Sequence, residues 1–185
     1  MNLTVDEIFE ILEQRRQYLV RHVFKSQTQP VEVWLLWMEE YMNELRKALT
    51  LRGAELEVPY CLRSVLAVGL QCTYHHGLPT RDDTSHEMSS FNSNAPALEA
   101  VKAAVVGELE YAKKWDANRP PWELEDKDKP MEAWVLWMEE YLSRARAANT
   151  EGHWVSALHE LRKMIGLGVS CARYHGIPRT SPDGV

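Results

Sequence analysis

The sequence is poor in several things that whole protein classes require. Only three of its 185 residues are cysteine: Cys61, Cys72 and Cys171. An odd, low count argues against a disulfide framework and suits a reducing compartment. No apolar run approaches the roughly 18 residues that a membrane span needs, so no membrane association is expected. The opening residues, MNLTVDEIFEILEQRR, lack the basic segment and apolar core of a secretory leader. The expectation is therefore a soluble, cytoplasmic protein. Basic charge is not in excess: 21 Lys and Arg stand against 27 Asp and Glu, a formal net charge of −6. Binding to DNA or RNA without sequence preference depends on a basic surface that displaces counterions, so nucleic acid is not an expected partner. A small anionic ligand is still compatible, because a local patch or a metal ion can hold one. There is no P-loop, no Rossmann fingerprint and no Ser/His/Asp nucleophile signature. Val, Ile and Thr never alternate with polar residues over a useful length, so no strand is expected.

What the chain does have is repetition. Pro30-Val-Glu-Val-Trp34-Leu-Leu-Trp37-Met-Glu39-Glu40-Tyr41 recurs as Pro130-Met-Glu-Ala-Trp134-Val-Leu-Trp137-Met-Glu139-Glu140-Tyr141, at an offset of 100. Cys72-Thr-Tyr-His-His76-Gly77-Leu-Pro79 recurs as Cys171-Ala-Arg-Tyr-His175-Gly176-Ile-Pro178, at an offset of 99. Two matched blocks in the same order, with Trp pairs, point to a tandem duplication. The first helical repeat is assigned to residues 1–81, a polar linker to residues 82–95, and the second repeat to residues 96–185.

Each copy reads as three helices. The first runs from Val5 to His22, with Thr4 and Glu7 spaced as a capping box and Ile8, Ile11, Leu12, Tyr18 and Leu19 as its apolar stripe. Its counterpart covers about Ala97 to Trp115. The second helix starts at Pro30 or Pro130, a good first-turn residue. Trp34, Trp37, Met38, Tyr41, Leu45 and Ala48 recur along it at helical spacing. Leu35, Leu36 and Met42 add a second apolar face, which predicts a largely buried helix. The third runs from about Pro59 to His76, and from Val155 to His175. Gly77 and Gly176 are its stops, each with a proline two residues on. Asn118 to Lys129 is an irregular stretch, and the tail after Arg179 is expected to fray. Three helices make a thin core for a unit of about 80 residues. The expected architecture is therefore all-α: a tandem duplication of a three-helix unit, packed as an intramolecular pseudo-dimeric helical bundle.

The order of signals within a copy is distinctive. A first helix ends in Ala112-Lys-Lys-Trp115-Asp116. An acidic helix follows, Trp137-Met-Glu139-Glu140-Tyr-Leu-Ser-Arg-Ala145, and then Ala157-Leu-His-Glu160-Leu-Arg-Lys-Met-Ile-Gly-Leu-Gly-Val169, which ends in His-Gly. This order resembles the MazG-like, all-α nucleoside triphosphate pyrophosphohydrolases, once per copy. The resemblance implies a nucleoside triphosphate as partner, cleavage to the monophosphate and pyrophosphate, and Mg²⁺ as cofactor. Such sites use acid pairs, Glu-x-x-Glu on one helix and Glu-x-x-Asp on the next. Acids three or four apart share a helix face, and two such faces make an oxygen-rich cradle that suits Mg²⁺. Here the pairs map to Glu40 and Asn43 with Cys61 and Ser64 in the first copy. In the second they map to Glu140 and Ser143 with Glu160 and Lys163. One and two acids of four are kept, and Lys163 puts a cation where a carboxylate belongs. The resemblance makes Glu40, Glu140 and Glu160 the candidate catalytic residues. Glu39, Glu40, Glu44, Glu139, Glu140 and Glu160 become the candidate metal ligands.

Read from the residues alone, Glu39, Glu40 and Glu44 are either a cation site or a solvated face with Arg46 and Lys47 beside it. Glu140 and Arg144 have the spacing of an ordinary i,i+4 ion pair. Cys72 with His76 and Cys171 with His175 share a Cys-x-x-x-His spacing that could make a zinc site. The absence of a closely spaced Cys pair favours instead a buried thiol and a His at a helix end. The Trp pairs could stack on a nucleobase but at helical spacing are more often core, and Trp115 and Trp122 are better candidates to line a base pocket. Arg15, Arg16, Lys113 and Lys114 could meet phosphates or serve as surface charge. Two functions follow. One is a nucleotide-binding protein, with or without Mg²⁺-dependent pyrophosphohydrolase activity at a reduced metal site. The other is a non-catalytic helical scaffold, able to pair with another protein or with a second copy as a homodimer. An ion-paired Glu140 would favour the second.

Overall fold

A computed structural model describes residues 3–24, 29–51, 56–79, 98–116, 118–120 and 124–179, with the Trp115 and Asp116 side chains left out. Among these there are six α-helices and no strand: α1 (Val5–His22), α2 (Val31–Thr50), α3 (Val58–His76), α4 (Leu98–Asp116), α5 (Met131–Thr150) and α6 (Trp154–His175). A single 3₁₀ turn, Asp126–Asp128, precedes α5. None of the described helices is long and apolar enough to cross a membrane. The linker expected at 82–95 and the tail after Arg179 lie outside the described residues.

Local chemistry sets most of the helix ends. Thr4 and Glu7 close the capping box: the Glu7 amide donates to Thr4 Oγ1 at 3.2 Å, and the Thr4 amide donates to Glu7 Oε2 at 2.9 Å. Pro30 and Pro130 sit one residue outside their helices rather than inside. Both have extended ψ of 155°, which makes them the residues before the first turn. Gly77 and Gly176 end α3 and α6 with φ of 77° and 80°, the region that side chains avoid and glycine tolerates.

Within each half the second helix lies on the third, α2 on α3 and α5 on α6, and the first helix lies on the third, α1 on α3 and α4 on α6. Between the halves α3 meets α6 and α2 meets α5, while α1 touches α6 and α4 touches α3. The centre is built from α3 and α6. Leu62, Val65, Leu66 and Leu70 of α3 and Leu158, Leu161, Met164 and Ile165 of α6 have no solvent exposure. Burying each such side chain contributes about 1.5–3 kcal/mol.

The expectation for α2 needs one correction. Trp34, Leu35, Met38, Met42 and Leu45 are buried, but Leu36 is half exposed, and on α5 the matching Leu136 is 65% exposed. The second apolar face therefore stops short of Leu36, because the neighbouring helices cover only one broad side of α2. Trp34 and Trp134 are core residues as the spacing predicts, whereas Trp137 is 37% exposed.

Two glycines set the distance between the central helices. A Cβ on Gly69 would stand 3.3 Å from Ile165 Cγ1, and a Cβ on Gly168 would collide with Leu66 Cδ2 while standing 3.1 Å from Met138 Cε. Leu66 and Met138 are fully buried and have nowhere to move. Gly168→Ala should therefore destabilise the protein by about 1–3 kcal/mol through overpacking, although alanine is the better helix former. Gly107 in α4 has open space around it. Gly107→Ala should stabilise by about 0.5–1 kcal/mol. Urea denaturation of both variants checks the pair of signs.

Candidate functional site

The six candidate acids do not gather into one cluster. Glu39 and Glu139 face each other across the α2–α5 contact, where they line a depression of about 320 Å³ together with Arg46 and Arg146. Each is held by an arginine of the opposite helix. Arg146 donates to both Glu39 oxygens at 2.7 and 2.9 Å, and Arg46 Nε donates to Glu139 Oε1 at 2.8 Å. Glu40 and Glu140 are exposed. Glu140 accepts from Arg144 Nε at 2.9 Å. Glu44 is exposed and paired with Lys47 at 2.6 Å. Glu160 is largely covered, with Lys163 Nζ 2.6 Å from Oε1, and its buried Oε2 lacks a hydrogen-bond partner.

A Mg²⁺ ion needs several oxygens converging within a little over 2 Å of one point. Here each of five carboxylates is neutralised by its own cation, and the sixth, Glu40, stands on an exposed face. Among the described residues no three His, Cys, Asp or Glu side chains are grouped to hold a metal ion. The donor set does not fit Mg²⁺.

The Cys/His pairs are spoken for in another way. His76 Nε2 donates to the Gln29 carbonyl at 2.7 Å, and His175 Nε2 donates to the Lys129 carbonyl at 3.0 Å. Both contacts tie the end of a third helix to the start of the second helix in the same half. Burial pushes the Cys72 thiol well above its usual range and the Cys171 thiol up to about 12. Zinc binds thiolate, which these surroundings disfavour.

The basic residues expected near phosphates are also committed. Arg16 forks onto Glu13 at 2.6 Å and reaches Gln71 Oε1 at 2.6 Å. Arg15 Nε donates to Ser64 Oγ at 3.2 Å. Lys113 pairs with Glu110 at 2.6 Å, and the Lys114 ammonium stands 5.8 Å from the Tyr111 ring. Trp122 lies outside the described residues, as does the Trp115 side chain.

A pocket does open in the second half, where the spacing of acids did not point. Its volume is about 260 Å³. Trp134, Trp137 and Tyr141 of α5 form one wall, Lys163 and Ser170 of α6 another, and Glu108 and Tyr111 of α4 a third. Lys129 closes the end, its ammonium 4.7 Å from the Trp137 ring centre, 5.8 Å from that of Trp134 and 2.9 Å from Asp126. The indole planes of Trp134 and Trp137 meet at 84°. Trp134 is buried, and its Nε1–H has no hydrogen-bond partner among the described residues. That N–H is closed off from solvent, and an orphaned buried donor of this kind costs about 1–3 kcal/mol. The sequence carried one usable signal for this site: Trp137 repeats Trp37 in a helix whose core positions are already filled by Trp34 and Met38. The roles of Lys129, Tyr141 and Glu108 had no such signal, because they depend on how α4 and the 3₁₀ turn meet α5.

Beneath the pocket, Arg162 is buried, donating to Glu108 at 3.1 Å and to the Pro79 carbonyl at 2.5 Å. Glu108→Ala should cost about 3–5 kcal/mol, since it leaves a buried guanidinium without its counter-ion. Chemical denaturation measures it. His75 gives a pH signature. It stacks on Trp34 with ring centres 6.2 Å apart, and its Nε2 is buried without a partner. Burial, followed by the nearby His76 and Arg16 charges, lowers its pKa below 6.5. The folded state thus resists a proton that the unfolded chain accepts. This contribution to stability is present above the unfolded value of about 6.5 and is lost as the pH falls below it towards the depressed folded value. Melting temperatures should fall between pH 7 and 5, and His75→Phe should flatten that slope. Compared with known proteins, the chain matches no family model, no curated protein and no solved structure.

Proposed function

We propose that this chain is a nucleotide-binding protein without metal-assisted chemistry, and that its ligand sits in the pocket beside Trp134. The reading combines the MazG-like order of sequence signals with one observation: a pocket walled by Trp134, Trp137, Tyr141 and two ammonium groups. A flat heteroaromatic ring would lie against the aromatic wall. The Lys129 and Lys163 ammoniums are each paired with a carboxylate, Asp126 and Glu160, and keep further N–H donors for an anionic substituent on that ring. A nucleotide has both features.

The architecture proposed with it is a duplicated three-helix unit folded into an intramolecular pseudo-dimer. Contacts that recur with the two halves exchanged support it. Arg46 on Glu139 is matched by Arg146 on Glu39. Arg63 donates to the Pro178 carbonyl at 2.9 Å, and Arg162 donates to that of Pro79. Gly69 faces Ile165, and Gly168 faces Leu66. Every partner in these pairs maps onto its counterpart at an offset of 99 or 100. The same reciprocity argues against pyrophosphohydrolase activity, since it consumes Glu39 and Glu139 as the arginine partners that hold α2 to α5.

The test is a panel of ribo- and deoxyribonucleoside triphosphates, with and without Mg²⁺. The expected outcome is no pyrophosphate release, together with a rise in melting temperature that does not need Mg²⁺. Such a rise requires preferential binding to the folded state. Lys163→Ala and Trp137→Ala should each weaken the effect severalfold. Pyrophosphate release that vanishes in Glu140→Gln and Glu160→Gln would restore the enzyme reading. No stabilisation by any nucleotide would leave the non-catalytic scaffold, in agreement with the Glu140–Arg144 pair.

A further inference from the structure

The two halves present the same pair of indoles, four and seven residues after the same proline, and treat them differently. In the first, Phe24 is buried and turns its edge to both rings, 5.0 Å from Trp34 and 5.3 Å from Trp37. Trp34 Nε1–H donates to the Gln29 carbonyl at 3.1 Å. Ser64 and Gln71, which match Lys163 and Ser170 at an offset of 99, take hydrogen bonds from Arg15 and Arg16. In the second half the residue six before the helix proline is Leu124, as Phe24 is six before Pro30. Leu124 is 54% exposed instead of buried. Among the described residues the Trp134 donor is unsatisfied, and the pocket is present. Both indole pairs stack alike on the third helix of their own half, Trp34 on His75 and Trp134 on Tyr174, with centres 6.2 and 6.1 Å apart. The frames match; what fills them does not.

We infer that the pocket of the first half is closed by the chain's own Phe24, and that only the second half takes an external ring, so the protein holds one ligand per chain. The second clause rests on the ligand reading given under Proposed function. The first stands on geometry alone. Phe24 presents to the two indoles an aromatic ring of the size a ligand would present, in the edge-to-face arrangement that aromatic pairs prefer. The plug acts by filling the volume beside the two indoles.

Fluorine NMR of the full chain labelled with fluorinated tryptophan separates the two sites. Of the seven resonances, those of Trp34, Trp37, Trp134 and Trp137 are assigned through single Trp→Phe variants. Two probes are used: the four ribonucleoside triphosphates, and free indole as a ring of the plug's size. In the wild type, a nucleotide should shift Trp134 and Trp137, saturate at one per chain, and leave Trp34 and Trp37 in place. In Phe24→Ala, indole should produce a new saturable shift at Trp34 and Trp37. Phe24→Leu, which copies Leu124, should act in the same direction and keeps most of the volume should the alanine variant fail to fold. The plug is overturned if indole leaves Trp34 and Trp37 unmoved in a variant that circular dichroism shows to be helical, or if either probe moves them in the wild type. Should no nucleotide move Trp134 or Trp137 while Phe24→Ala opens to indole, the plug stands and the ligand reading alone is overturned.

Discussion

The close approach of α3 and α6 governs the rest of the molecule. Helices packed through large side chains lie 8–10 Å apart, and small residues let them come nearer. Gly69 and Gly168 remove the side chain at the two points where Ile165 and Leu66 need the space. Once the two third helices touch there, their own second helices are carried into contact as α2 and α5. The first helices then lie against the third helix of both halves. The buried Arg63 and Arg162 follow from the same contact. Each reaches past the crossing to the carbonyl of the proline that ends the other third helix. These carbonyls have left the helix ladder and would otherwise face apolar surroundings.

That contact decides the fate of the acids. Bringing α2 beside α5 sets Glu39 near Arg146 and Glu139 near Arg46, and each guanidinium stays more than half exposed while its carboxylate is mostly covered. Exposed pairs of this kind contribute about 1 kcal/mol or less to stability. Their effect on chemistry is larger than their effect on folding, because a carboxylate engaged by a guanidinium has few lone pairs free for a cation. The fold supplies the counter-charge of these two acids itself.

Much of this was legible in the sequence. The α1 capping box, the glycine stops at Gly77 and Gly176, and the Trp34 and Trp134 core positions depend on spacing within a few residues, which a sequence displays directly. The helix boundaries also came within a residue of their places, since proline and glycine punctuate them. What escaped depends on partners far along the chain. Leu36 looked like core because periodicity marks which side of a helix is apolar and not how wide a side its neighbours cover. The seven-residue spacing of Glu39 to Arg46 and of Glu139 to Arg146 was visible in both copies, but only the antiparallel meeting of α2 with α5 turns it into exchange across the two halves. Lys129 sits in the irregular stretch before α5, where composition carries no information on direction.

The most consequential departure between the halves rests on one hydrogen bond. The carbonyls of Gln29 and Lys129 occupy the same place, and each accepts from the histidine that ends its own third helix. Gln29 also accepts from Trp34, using both lone pairs. Lys129 makes no such bond to Trp134, whose N–H stays unsatisfied. A buried polar group without a partner in one copy of a repeat, satisfied in the other, is not a packing accident common to the fold, since the same indole sits in the same frame twice. The difference tracks what stands over the rings, an apolar phenyl in the first half and the Lys129 ammonium in the second. The ammonium lies against two indoles and the Asp126 carboxylate, where the first half has a buried phenyl group. On the reading proposed above, divergence at this one layer separates a half that supports the fold from a half that would also receive a ligand.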